Sequence, residues 1–471
     1  MRKWTVLAAI LAVAFVVPTS FAQTQEDILT ALTALQDRVV KLESENAELK
    51  NSVTDQNAQE LDSQISALLD RLPQQAGTTV NSGANPVTLS GEFRMRNSWS
   101  FGDDAAGGEH DGSWNDALVR LGFQYDFTGD VTAYAELQSQ WAFGEGAGGT
   151  TGLDTYQAWL EVRNVMGQAA LRQRTGRQEV VLGNQYQFGN ADWYDGWTFD
   201  ATRWDWENES FSITAMAAKL NGGPNDNNQT SAFDNDHDDD ELYTLYFTLK
   251  TIQDHTLDLY WIYSNGHDKA ATGSYGNVVS DDFWHTMGAR IGGTFADMAG
   301  GLNWNLEVAY QFGDTDGAND VDALAIEAEV GFNVTDGVGV FARVHYAEGA
   351  DDGDAAYTQL FGSRHSNGDF RARYGIADLM PMTDVFSIQG GLSFDANEDW
   401  TLGMTVVWGE EEVSDDDYGW ELDFWAEYQH SANLAYGIGA AFVMPDEDGS
   451  LGGTLDDDTH FIGYIQARLL F

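Results

Sequence analysis

The chain has 471 residues, no cysteine and a formal net charge of −52, from 75 acidic and 23 basic side chains. A chain without cysteine has no disulfide, thiol nucleophile or thiolate metal site, and so few basic residues exclude the broad positive surface that nucleic-acid binding needs. Glycine is abundant at 50 residues, proline is scarce at 6, and aromatic residues reach 13%. This composition favours a folded all-β protein with many turns over an acidic disordered chain.

Residues 1–22 have the pattern of a secretory signal peptide. Arg2 and Lys3 precede an apolar run over residues 6–17, and Ser20 and Ala22 form a small-x-small cleavage site. The alternative, a membrane anchor, is disfavoured because the run is too short and wrongly flanked. No later stretch reaches ~18 consecutive apolar residues, so we predict an exported protein without a transmembrane helix.

Residues 26–72 have a heptad pattern that predicts an α-helical coiled coil, followed by a linker over residues 73–86 that is rich in Gly, Asn and Ser. A coiled coil requires partner chains, so we expect a homo-oligomer. A dimer and a trimer are both compatible with the seam. The alternative is a single amphipathic helix lying on the body of the protein. The seam residues expected to drive oligomerisation are Leu35, Val39, Leu42, Asn46 and Leu49.

From residue 87 to residue 471 the hydrophobic period is two. Residues 119–127, for example, alternate Val, Leu, Phe, Tyr and Phe with Arg, Gly, Gln and Asp. Such alternation places one strand face in an apolar medium and the other in a polar one. Long strands, aromatic residues near strand ends, and short turns alternating with long acidic loops favour a transmembrane antiparallel β-barrel over a soluble sandwich. We count about eighteen strands, the last ending at Phe471, whose position resembles a C-terminal signal for barrel assembly.

Two motifs carry a family resemblance. The first comprises Gly176-Arg177-Gln178-Glu179, Gly183, Phe188-Gly189-Asn190, Trp193 and Phe199-Asp200-Ala201 with Arg203, and the second comprises Leu360-Phe361, His365 and Gly375-Ile376-Ala377-Asp378. In order and spacing these residues resemble the alginate export family of outer-membrane barrels. The resemblance implies one pore per chain that passes a polysaccharide or a smaller hydrophilic solute. We expect the first motif to form a hairpin of the barrel wall, with Arg177 and Asp200 in contact with the lumen and a bulge or an early strand end near Arg203.

Charged residues are distributed unevenly along the strands. Arginines are concentrated in the early strands and carboxylates in the later ones, so the two groups would face each other across a closed barrel and set solute preference. The alternative is that they pair and stiffen the barrel. Family members that export alginate have a strongly basic conduit. Because basic residues are few in this chain, we do not predict alginate as its substrate. The predicted pore-lining residues are Arg94, Arg96, Arg120, Arg163, Arg172, Arg174, Arg177, Glu307, Glu327, Glu329, Arg343, Glu421, Asp423 and Glu427.

The sequence therefore predicts an outer-membrane porin, embedded in lipid, for passive passage of small hydrophilic or saccharide solutes, with its N-terminal helix in the periplasm. Two other functions stay open: a structural tether between the outer membrane and peptidoglycan, and a barrel enzyme. The chain has no zinc-protease or nucleophile-elbow motif, so we expect no enzymatic activity. We also expect no cofactor and no metal site, and we interpret the acidic loops as solvated surface.

Overall fold

The computed structural model describes residues 78–80, 87–102, 112–143, 152–190, 197–221, 240–265, 283–295, 301–314, 320–351, 354–363, 373–377, 380–446 and 459–471. All of them belong to one unit, Ala76–Phe471. The predicted signal peptide, the predicted coiled coil and most of the predicted linker lie outside the described residues, and so they stay predictions.

The regular secondary structure of the described residues is almost entirely β-strand. Sequences that alternate apolar and polar residues and are rich in aromatic and β-branched types favour this conformation, because a strand separates the two kinds of side chain onto opposite faces. Among the described residues, no helix is long and apolar enough to cross a membrane. The strands are β1 (Thr78–Val80), β2 (Val87–Phe101), β3 (Gly112–Thr128), β4 (Val131–Phe143), β5 (Asp154–Arg163), β6 (Leu171–Glu179), β7 (Thr198–Glu207), β8 (Phe211–Asn221), β9 (Asp240–Leu249), β10 (His255–Asn265), β11 (Phe283–Phe295), β12 (Leu302–Asp314), β13 (Asp320–Thr335), β14 (Val338–Ala347), β15 (Asp354–Ala355), β16 (Val385–Asp395), β17 (Trp400–Glu410), β18 (Asp417–Gln429), β19 (Leu434–Pro445) and β20 (His460–Leu470), with one 3₁₀ turn at Val165–Gly167.

Eighteen of these strands form a closed antiparallel barrel, which confirms the predicted fold class for this part of the chain. Each wall strand pairs with the next in sequence, β14 pairs directly with β16, and β2 pairs with β20 to close the ring. The seam continues to the last residue. The Gly91 amide donates to the Phe471 carbonyl at 2.7 Å, and the Phe471 amide donates to the Gly91 carbonyl at 3.0 Å. Closure leaves the wall without an unpaired edge.

The connections alternate in length around the barrel. Gly129 and Asp130 join β3 to β4, and Asp336 and Gly337 join β13 to β14, whereas residues 222–239 separate β8 from β9. We call the two rims the short-turn end and the long-loop end. In bacterial outer-membrane barrels the short turns are periplasmic and the longer loops extracellular.

The inward face of the barrel wall is polar and the outward face is apolar, which is the reverse of the arrangement in a soluble protein. On β12, Glu307 and Gln311 are 3% and 1% exposed, whereas Tyr310 between them is 41% exposed. Polar side chains therefore point into the barrel and apolar ones point outward. This arrangement suits a wall surrounded by lipid, and it decides for the barrel against the soluble sandwich.

Outward aromatic residues form a belt near each rim, as predicted. At the short-turn end, the rings of Trp400 and Tyr428 stack with centroids 4.9 Å apart. At the long-loop end, Trp408 and Trp420 lie 6.2 Å apart. Such belts mark the two membrane–water interfaces of outer-membrane barrels.

Two segments leave the wall and pack inside the barrel. Residues 180–190 follow β6, and residues 356–363 follow β15; together we call them the inner layer. Their backbones pair, because the Gly189 amide donates to the Phe361 carbonyl at 2.8 Å and the Phe361 amide donates to the Gln187 carbonyl at 3.0 Å. The prediction that the first family motif is one continuous wall hairpin is therefore wrong between residues 180 and 190.

Candidate functional site

The first charged cluster of the lumen lies on β2, β3 and β20. Glu92 accepts hydrogen bonds from Arg94 (Nη2 to Oε1, 2.7 Å) and Arg468 (Nε to Oε1, 2.9 Å), and Arg120 Nη1 lies 3.9 Å from Glu92 Oε2. The guanidinium carbon of Arg120 also lies 3.8 Å from the centroid of the Tyr156 ring, a cation–π contact. Arg120 Nη1 also lies 4.0 Å from Glu179 Oε1, so three arginines share two carboxylates and the cluster has one positive charge in surplus.

A second cluster follows on β5, β6 and β7. Glu161 is surrounded by Arg174 at 2.6 Å, Arg163 at 3.0 Å and Arg172 at 3.9 Å. Arg172 also contacts Asp205 at 3.2 Å. These ion pairs join neighbouring strands, so carboxylates on the same side of the barrel neutralise part of the arginine charge. This agrees with the alternative prediction that arginines and carboxylates pair and stiffen the barrel.

The second cluster exposes its cations and buries its anions. The side chains of Glu161 and Asp205 are 2% and 8% exposed, whereas those of Arg163 and Arg172 are 54% and 36% exposed. Water in the lumen therefore contacts guanidinium groups, and the carboxylates lie beneath them.

On the opposite wall, Glu327 of β13 anchors the segments that enter the barrel. Its carboxylate accepts hydrogen bonds from Arg373 and Tyr374 and, at 3.1 Å, from Asn184 Nδ2. Arg373 in turn donates to the Asn184 carbonyl at 2.8 Å. Burial opposes the charge of Arg373, but the adjacent Glu327 carboxylate outweighs it, and the pKa of Arg373 lies above its ordinary value. Burial raises the pKa of the Tyr374 phenol, which therefore stays a neutral donor.

Two further carboxylates of the later strands contact the same inward chain. Glu421 accepts the Ala377 amide at 2.7 Å, and Asp423 accepts the Ile376 amide at 3.3 Å. Glu307 accepts the hydroxyl of Tyr260 at 2.8 Å. These three predicted lumen carboxylates are engaged by protein groups beside them, so they do not face the arginines across open water as the sequence suggests.

The inner layer has an aromatic core and polar contacts with the far wall. The Phe361 ring packs against Phe188 and Phe199, with centroids 5.8 Å and 4.9 Å away. The Tyr186 hydroxyl lies 3.1 Å from His345 Nε2 on β14. Gly183 has φ +57°, and a Cβ there would lie 2.3 Å from the Tyr246 hydroxyl, so only glycine fits without a shift.

The family motifs therefore assemble at one place inside the barrel. Most of their described residues are in the inner layer, beside it, at the end of β6 or at the start of β7. Trp193, His365 and Asp378 lie outside the described residues. Sequence spacing alone did not indicate that the two motifs meet, because they are separated by more than a hundred residues.

Strand register places the predicted pore-lining residues on the inward face, with one exception. Arg96 lies with its guanidinium carbon 4.4 Å from the Tyr464 ring centroid. The exception is Arg177, which points outward and binds Asp200 through two hydrogen bonds of 2.9 and 2.8 Å. The inward positions beside them belong to Gln178, 0% exposed, and Phe199, 2% exposed. The prediction that Arg177 and Asp200 contact the lumen is therefore wrong.

Four arginines inside the barrel are not among the predicted pore-lining residues. Arg203, Arg290 and Arg468 lie on inward strand faces, where Arg290 pairs with Asp258 at 2.6 Å, and parity alone could have identified them. Arg373 lies between strands, where no periodicity assigns a direction to its side chain.

Comparison with known proteins identifies relatives of this architecture. The sequence model of the family described as "Alginate export" matches residues 109–419, more than half of the chain. A comparison with curated proteins finds no significant match.

Among solved structures, three proteins of Pseudomonas aeruginosa are similar, and each aligns over 81% of this chain. They are OpdL (13% identity, 98% of its chain, TM-score 0.56), OccK11 (OpdR) (13%, 96%, 0.55) and OccK2 (OpdF) in complex with glucuronate (12%, 98%, 0.56). At these identities the likeness shows a shared barrel fold.

Proposed function

Because this chain belongs to the alginate export family and folds as a porin-type barrel, we infer that it is an outer-membrane channel for passive passage of small hydrophilic or saccharide solutes. We propose in addition that the channel prefers anionic solutes. The observation that carries this preference is the contrast on β5–β7, where Arg163 and Arg172 are exposed to the lumen and Glu161 is buried beneath them. Charged walls of one sign concentrate solutes of the other sign in a confined pore.

Ion selectivity in planar bilayers tests this proposal. In a potassium chloride gradient, the reversal potential of the native channel should indicate anion preference. Replacing Arg172 and Arg174 together by glutamine uncovers the Glu161 charge, so the reversal potential should move toward cation preference. Arg177→Gln is the control for position, because it removes a positive charge from the outward face and not from the lumen. An absence of conductance, or equal effects of the inward and outward variants, would refute the proposal.

A uronic acid provides a second test of the solute class. One of the similar structures is a complex with glucuronate, so glucuronate serves here as the test anion and glucose as its neutral counterpart. Glucuronate should interrupt the ionic current of the native channel at concentrations where glucose does not. The R172Q/R174Q double variant should lose that difference.

The histidine nearest the inner layer has a structural role. His345 is 1% exposed and contacts Tyr186, so it is shielded from solutes in the lumen. This favours a channel over a barrel enzyme built around that side chain.

We propose that residues 26–72 form a periplasmic coiled coil that links copies of the chain. This is supported by the position of β2, whose first residue, Val87, lies at the short-turn end, where Val80 of β1 pairs with it. The first wall strand therefore begins at the rim that is periplasmic in barrels of this class.

A further inference from the structure

A row of four charged residues crosses the outward face of β6, β7, β8 and β9 near the long-loop end. Arg177 pairs in register with Asp200, Asp200 pairs with Lys219, and Lys219 pairs with Glu241. The charges thus alternate from strand to strand at one height. Arg177 and Asp200, with side chains 41% and 54% exposed, form an ion pair of 2.8 Å.

The aromatic belt is interrupted beside this row. On β9 and β10, Tyr243 and Tyr263 stack with centroids 6.2 Å apart and belong to the belt. The corresponding positions on β6, β7 and β8 are Thr175, Thr202 and Ala217. These small residues border an outward depression of about 400 Å³. Lipid-facing strands at this level normally carry aromatic residues, so small and charged residues here suit contact with protein.

We propose that the outward face of β6–β9 is the contact surface between two copies of this chain, related by a two-fold axis along the membrane normal between β7 and β8. A two-fold axis reverses the order of the row in the second copy. Arg177 of each copy then faces Glu241 of the other, and Asp200 faces Lys219. The row is self-complementary under this symmetry.

The curvature of the barrel fits the same arrangement. Two convex walls approach most closely at their centre, where Thr202 and Ala217 are small. The walls diverge toward β6 and β9, where the longer side chains of Arg177 and Glu241 can span the gap. A phosphorylated lipid headgroup fits less well, because Asp200 and Glu241 would repel it.

Site-specific cross-linking of the full-length chain in its membrane tests the proposal. The chain has no cysteine, so Ala217→Cys introduces a single thiol close to the proposed axis. A short bismaleimide should convert this variant to a covalent dimer. Ala426→Cys is the matched control, because Ala426 is an outward alanine on β18, away from β6–β9. Failure of A217C to cross-link, or equal dimer yields from both variants, would overturn the proposal.

Charge exchange in the A217C background separates a specific contact from random collision. Asp200→Lys and Lys219→Asp each place like charges opposite each other across the axis, so each should lower the dimer yield. Combining the two restores opposite charges and should restore the yield. The surface is not a contact between copies if the dimer yield of the double variant stays low while both single variants fold. The same conclusion follows if no dimer forms and the amount of lipopolysaccharide that co-purifies falls with K219D.

Discussion

Removing the charge of Glu327 is expected to release the inner layer from the barrel wall. The side chains of Glu327 and Arg373 are 2% and 7% exposed, and both also bind Asn184 of the inner layer. Glu327→Gln preserves the size of the side chain and one oxygen acceptor, but it leaves a buried guanidinium without its counter-ion. Losing one partner of a buried ion pair costs about 3–5 kcal/mol. At about 1.4 kcal/mol per factor of ten, the fraction of barrels with a detached inner layer rises about a hundredfold to a few thousandfold.

Two measurements report this release. Single-channel recordings of E327Q should show frequent transitions to a higher conductance, because the inner layer occupies part of the lumen. Hydrogen exchange of the Phe361 amide, which donates to the Gln187 carbonyl, should accelerate by the same factor if exchange proceeds through detachment.

Asp205→Asn is the control, because Asp205 is also a buried carboxylate, with its side chain 8% exposed, and its arginine partners lie in the wall. It should leave both the Phe361 exchange rate and the frequency of the high-conductance state unchanged. The reasoning is refuted if E327Q retains native gating and exchange, or if D205N produces the same release.

Two further predictions concern packing and assembly. Phe361→Ala removes a ring that is 1% exposed, at a cost of about 3–5 kcal/mol, so it should lower the midpoint temperature of the heat-induced mobility shift on a gel. Phe442→Ala, on the outward face at 37% exposure, should lower that midpoint less. An equal decrease in the two variants would contradict the packing of the inner layer. Deleting residues 23–85 should weaken the oligomers seen on an unheated gel, because it removes the predicted coiled coil; oligomers that persist unchanged would contradict that coiled coil.

The wall of the barrel is predictable because its signal is local. A period of two decides the face of each strand residue from its immediate neighbours, and so residues such as Arg94 and Glu307 have the expected direction. The inner layer depends instead on contacts between distant parts of the chain, such as the pairing of Phe188 with Phe361. No local pattern encodes that pairing.

One local signal was present and was misinterpreted. Phe199 shares a face with Arg203, which suggested a bulge or an early strand end, yet β7 keeps a regular register with both neighbours. An aromatic residue on the polar face instead reflects apolar material inside the barrel, here Phe188 and Phe361. The same register turns Arg177 and Asp200 outward.

The hydrogen bonds between Gly91 and Phe471 have a consequence for folding. They join residues 380 positions apart in sequence, the type of non-local contact that slows folding because so much chain must be ordered first. Until β20 docks, β2 and β19 are open edges able to recruit strands from other molecules. The risk of aggregation therefore lasts until the final strand arrives, and barrel closure is the step that a folding catalyst would need to accelerate.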